Sequence, residues 1–301
     1  MIAEVASPHH SFGQEFYPYE SIRALRLADK ARLTDRHQLI ERIAEELPQR
    51  SEATRRRVAE KLVQRYVRTT RRAIVPAPHY QPFVRLIARG RHAPGQIELL
   101  YWQLAQVDTL VGALARELFY PVCIAQRPPD GLSGASFAAR NGAQLFGTGA
   151  FAATDIAPQI TRDFIHDYAR QEWHFANAPS LDRALRILQG AGLIARERMS
   201  GLRGRPPSYR LSNHDVSLTT FLWALYDEFL PHAQNGALTL APGVLAVADF
   251  ARTLLLLPRQ IENHCEAARR HQFLAASSNG ALRLTFGNQD ALADALLSRA
   301  L

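Results

Sequence analysis

Apolar residues recur along most of this chain at helical spacing. Leu39, Ile43 and Leu47 stand at i, i+4 and i+8 with Ile40 and Ala44 beside them, within a segment that turns helical at Ser21, and Pro48 closes the helix they predict. Ser51 offers an N-cap for a second helix, in which Val58, Leu62 and Tyr66 with Ala59, Val63 and Val67 make one buried stripe. A third long helix is predicted after Pro94-Gly95, carrying Leu100, Leu104, Val107, Val111, Leu114 and Leu118 to a stop before Pro121. Residues 1–20 read as an irregular arm whose Phe12, Phe16, Tyr17 and Tyr19 need a surface to rest on. Residues 126–156, with Pro128, Pro129 and five glycines, read as a linker or loop-rich insertion.

The pattern changes after residue 160. Thr161 to Trp173 predicts an amphipathic helix, Asn177-Ala-Pro179 breaks it, and Ser180 is read as the cap of a second helix with Leu181, Ala184, Leu185 and Leu188 inward. Gly190 and Gly192 stop that helix. Residues 193–198 then read as a strand, 199–207 as a Gly/Pro/Arg loop, and 208–212 as the returning strand. Helix, turn, helix and hairpin make a winged helix-turn-helix. On Leu188-Gln-Gly-Ala-Gly192-Leu-Ile194 and Gly204-Arg-Pro206-Pro-Ser-Tyr209-Arg-Leu211 the segment resembles the winged helices of PadR- and MarR-type regulators. The C-terminal portion repeats the layout faintly, with helices expected at 243–257 and 259–274 and a shorter wing at 281–286. The fold class expected is mainly α: a helical bundle plus a winged helix-turn-helix, with a degenerate second one at the C-terminus.

Length and charge sharpen this picture. The 301 residues suit about two domains. The division expected is an arm and basic bundle over 1–125, the Gly/Pro-rich stretch 126–156, the winged helix 157–214 and a helical region 215–301. The chain carries 36 bases against 28 acids. Residues 23–91 hold 18 bases and 7 acids while residues 92–301 hold 18 of each, so the cationic excess sits in one segment. No apolar run is long enough to cross a bilayer and no basic leader precedes one, which points to a cytoplasmic protein without a membrane partner. Cys123 and Cys265 are too few for a disulfide scaffold or a thiolate metal site.

The basic positions nominate a duplex partner. Arg57, Lys61, Arg65 and Arg68 fall beside the apolar stripe of the second helix, with Arg50, Arg55 and Arg56 at its start and Arg71 and Arg72 after it. Arg55 and Arg56 oppose the helix dipole, and an outside anion would explain them. In the winged helix, Arg183, Arg186 and Gln189 are read as lying outside the apolar face, beside Ser180 at the helix start, and Arg203 and Arg205 sit in the wing. Chemistry is scarce by comparison. Gly147-Thr-Gly149 lacks the βαβ setting of a dinucleotide site, and the cluster Asp163, His166, Asp167, Glu172 and His174 lacks regular ligand spacing. His264 and Cys265 are adjacent and point to different helix faces, so they form no nucleophile and base pair. A non-enzymatic protein without cofactor or metal is expected.

Arg50-Ser-Glu-Ala-Thr-Arg-Arg-Arg57, Leu99-Leu-Tyr-Trp102, Ala115-Arg-Glu-Leu-Phe-Tyr-Pro121 and Ser180 to Ile194 together resemble the BrxA family of accessory proteins from bacteriophage-exclusion (BREX) defence systems. The resemblance covers residues 21–195 and implies a small helical, double-stranded-DNA-binding, non-enzymatic component acting with other phage-defence proteins. The wing and C-terminal region beyond Ile194 and the Gly-rich stretch depart from that pattern. A sequence-specific transcriptional regulator or plasmid replication initiator, and a protein-contact module in a larger complex, are the alternatives.

Overall fold

The computed structural model describes residues 16–30, 36–49, 51–69, 74–76, 81–91, 93–126, 160–197, 207–212, 215–233, 239–240, 244–245, 248–276 and 281–299. The predicted linker and the tip of the central wing lie outside them. Among the described residues the chain is mainly helical with small antiparallel sheets. Helices α1 (Pro18–Lys30), α2 (Arg36–Glu46) and α3 (Glu52–Tyr66) pack on one another and lead into a hairpin of β1 (Val67–Thr69) and β2 (Ile74–Pro76), with Val67 opposite Pro76. Leu39, Ile43, Val58, Ala59 and Leu62 are fully buried, as their spacing predicts, and each of the larger ones contributes about 2 kcal/mol of burial. The expected bundle is thus itself a helix-turn-helix with a hairpin after its second helix. One aromatic of the arm finds its surface far along the chain: Phe16 lies against Gly190, where an added Cβ would sit 2.9 Å from the ring.

Helices α4 (Gln81–Arg89) and α5 (Ala93–Val107) follow. The predicted third helix does not run unbroken to Pro121. Asp108 interrupts it, its side chain accepting from the Val111 N–H at 3.3 Å to cap α6 (Thr109–Ala113). A π-helical turn over Leu114–Phe119 comes next, and then α7 (Tyr120–Gln126). Pro121 is tolerated in the first turn of α7 because the π turn shifts the ladder there: the Tyr120 N–H already reaches back to the Ala115 carbonyl.

The central unit comprises β3 (Ile160–Thr161), α8 (Arg162–Glu172), α9 (Ala178–Gly190), β4 (Ile194–Glu197) and β5 (Ser208–Leu211). The sheet order is β3-β5-β4, all antiparallel. Thr161 caps α8, and Asn177 rather than Ser180 caps α9: its side chain accepts from the Ser180 N–H, which places Ser180 inside the first turn.

The C-terminal unit repeats this design more closely than the sequence indicates. After α10 (Leu218–Phe229) come β6 (Thr239–Leu240), α11 (Asp249–Thr253), α12 (Pro258–Arg270), β7 (Leu274–Ala276), β8 (Leu282–Leu284) and α13 (Gln289–Ser298). The sheet order β6-β8-β7 matches the central one strand for strand. Each helix-turn-helix turn holds a non-glycine left-handed residue, His174 and Leu255. Each second helix ends through the same six-residue closure, Leu193 N–H to Leu188 carbonyl and Phe273 N–H to Ala268 carbonyl, over a left-handed residue, Gly192 and Gln272. The long helix expected over 243–257 is broken: Val244 and Leu245 are helical, the extended Ala248 precedes the short helix Asp249–Thr253, and Leu255 at φ 55° turns the chain before Pro258.

The repeat gives a test of backbone strain. Gln272 at φ 59° is strained where Gly192 at φ 78° is not, so Gln272→Gly should stabilise the protein by up to about 1 kcal/mol and Gly192→Ala should destabilise it by about 1 kcal/mol or more in urea denaturation.

Candidate nucleic-acid interface

In the N-terminal unit most of the cationic side chains among the described residues have partners inside the fold. Arg23 donates to the Glu46 carbonyl at 2.7 Å, a cation at the C-terminal end of α2 where the dipole favours one. Arg55 donates to the Gln49 carbonyl at 3.0 Å and so fastens the turn between α2 and α3, while Gln49 donates to Glu20 at 3.1 Å and ties that turn to α1. Arg56 lies 3.8 Å from both Glu41 and Glu60 and 3.4 Å from His37. Partners inside the fold therefore account for Arg55 and Arg56, and the anion invoked for them from the sequence is not required. Exposed pairs such as those of Arg56 add little stability.

What remains on the outer face of α3 is Arg57, exposed, and Lys61, half-buried beside the stripe. Neither forms an ion pair among the described residues. Arg65 and Arg68 continue α3 and β1, with side chains outside the described set, and Arg50, Arg71 and Arg72 lie outside the described residues altogether. The α3 helix is thus followed directly by a hairpin, the order of elements at the end of a winged helix-turn-helix.

The central unit differs from expectation at its key position. Arg183, read as outward, is buried at 9% exposure, with Nη2 3.7 Å from Asp108, which is itself fully buried. The helical period misleads here because the face of α9 opposite its own sheet packs on α6, so two faces are covered instead of one. Arg186 is exposed and Gln189 partly so. Arg203 and Arg205 lie outside the described residues.

Two further arginines join Arg186. Arg162, at the start of α8, donates to Asp182 through Nε at 2.7 Å and also through Nη2, and His166 lies 3.2 Å from the same carboxylate. Arg196 of β4 stands opposite Tyr209, and Arg162, Arg186 and Arg196 all lie close enough to act on that buried phenol, whose pKa rises chiefly through burial. The Arg162 hydrogen bond, helped by His166, holds the Asp182 carboxyl below the usual range. Asp182 therefore sits as a carboxylate on the strip of α9 that also presents Arg186. Arg196 was legible in sequence as a strand base, but nothing local marks its approach to α8 and α9.

The remaining chemistry is muted. On α12 the exposed charged residues are Arg259, Glu262, Glu266, Arg269 and Arg270, a mixture of both signs. His264 is stacked on Phe221 at 4.9 Å and 3.4 Å from Asp215, with its pKa lowered by burial. Burial pushes the Cys265 thiol up to about 12, so it is not a thiolate near neutral pH. No cluster of metal-ligating side chains and no helix long and apolar enough to cross a membrane occurs among the described residues. Comparison with known proteins finds no matching family model, curated protein or solved structure.

The buried pair sets a testable energy. Asp108→Asn keeps the cap and removes the carboxylate charge, and Arg183→Met removes the guanidinium while keeping an unbranched apolar stem. Each should cost about 3 kcal/mol by leaving its partner uncompensated, and the double variant should lose clearly less than the sum. Additive losses in urea melts contradict the pairing.

Proposed function

We propose that this protein binds double-stranded DNA through its N-terminal helix-turn-helix, with α3 in the major groove and the β1–β2 hairpin along the backbone. The observation that carries the reading is the coincidence of three features in one unit. The segment holding the cationic excess forms a helix-turn-helix, its second helix turns Arg57 and Lys61 to solvent, and a hairpin follows within one residue of that helix. Most contacts are to phosphate, so binding is strong at low salt and only weakly selective for sequence. The setting is that of a non-enzymatic accessory component of a phage-defence system, as the resemblance to the BrxA family implies, in the cytoplasm and beside other defence proteins.

A second reading applies to the central unit. Asp182 on α9 is occupied by Arg162, and the inward turn of Arg183 removes a base-reading candidate, which favours a protein contact there over a regulator's reading helix. An operator-binding role for α9 rests on Arg186 and Gln189 alone.

Fluorescence anisotropy with a mixed-sequence duplex separates these roles. Arg57→Ala with Lys61→Ala should weaken binding to every duplex alike and flatten the salt slope by about 0.9 per lost phosphate contact, while Arg186→Ala changes affinity little. Unchanged affinity in the Arg57 and Lys61 variant removes α3 as the footprint.

A further inference from the structure

A cavity of about 530 Å³ opens between the N-terminal and C-terminal units, within the range of small-ligand sites. Its floor is apolar: Leu86 of α4, Leu99 of α5 and Leu296 of α13 are each nearly fully buried there, and Leu297 adds a half-buried flank. Its rim is cationic, because Arg89 and Arg91 line it and no carboxylate does among the described residues. Asp29 grips Arg89 through two hydrogen bonds of 3.0 and 3.1 Å. Arg91 is exposed at the corner between α4 and α5 and forms no ion pair among the described residues. Glu98, the acid behind the wall, accepts from the Ser217 N–H and hydroxyl at 2.9 and 2.8 Å.

The corner is held in shape before any ligand arrives. Gln96 donates to the Gly90 carbonyl at 2.9 Å and to the Ile87 carbonyl, and Gly90 admits no side chain, since a Cβ there would lie 2.6 Å from the Leu86 carbonyl oxygen. On the far side Arg85 ties α4 to α13 through Asp290 at 2.7 Å and Asp294 at 3.0 Å. A preformed apolar floor under an exposed guanidinium suits one ligand chemistry. We infer that this cavity binds a small amphiphilic anion, an apolar body lying on Leu86, Leu99 and Leu296 with a carboxylate or phosphate-monoester head at Arg91.

The inference is independent of the DNA reading, and its test uses the full chain without DNA. Isothermal titration calorimetry compares octanoate, octyl phosphate, octanol and acetate at matched ionic strength. One or both octyl anions should saturate a single site, the tighter one identifying the head, with octanol and acetate at least about tenfold weaker. Arg91→Ala should bring the octyl anion down to the level of octanol, and Leu297→Trp, which fills the cavity, should abolish binding, with thermal melts verifying that both variants fold. Failure of both octyl anions to saturate by about 5 mM overturns the inference, because the site would then be worth under about 4 kcal/mol. Binding that Leu297→Trp leaves intact overturns the site, and binding that Arg91→Ala leaves intact overturns the anionic class.

Discussion

A helix-turn-helix can offer a partner only the strip of its second helix that packing leaves over. Three times in this chain the strip is cut differently. On α3 the core claims Val58, Ala59, Leu62 and Val63, and the remainder includes Arg57 and Lys61. On α9 the sheet and α6 each claim a face, Arg183 goes inward to Asp108, and Arg186 is left beside an ionised Asp182. On α12 the remainder mixes both signs, Glu262 and Glu266 standing between Arg259 and the pair Arg269 and Arg270. One architecture thus supports three electrostatic outcomes, and only the first suits a polyanion.

The charge of a segment and the charge of a surface are different quantities. Counted along the chain, residues 23–91 carry 18 bases against 7 acids. In the folded protein Arg85 reaches out of that segment to Asp290 and Asp294, Arg89 takes Asp29, and Arg23 and Arg55 bond backbone carbonyls. Those side chains position helices, and their loss would be felt in stability before it was felt in binding. The proposed footprint therefore contracts to the outer face of α3 and the hairpin that follows.

How much could be read in advance depends on the range of the interactions concerned. The apolar stripes of α2 and α3, the strands of the central wing and the stop at Gly190 are local, and they stand in the structure where periodicity and turn chemistry place them. The N-terminal hairpin was missed although Val67-Arg-Thr69 and Ile74-Val75 carry β-branched residues, because the stripe of α3 was extended through Val67. The C-terminal winged helix was seen only faintly because its left-handed positions are Leu255 and Gln272, residues that give no turn signal. Arg183 could not have been placed at all, since its burial is decided by Asp108, 75 positions earlier in the chain.

The central claim is that DNA meets α3 and its hairpin and leaves the other second helices alone. Hydrogen exchange of the full chain with and without a mixed-sequence duplex tests it most directly. The account predicts slowed exchange over 52–69 and 74–76 with α9 and α12 unchanged. Slowed exchange confined to α9 or α12, with α3 exchanging as in the free protein, would contradict it.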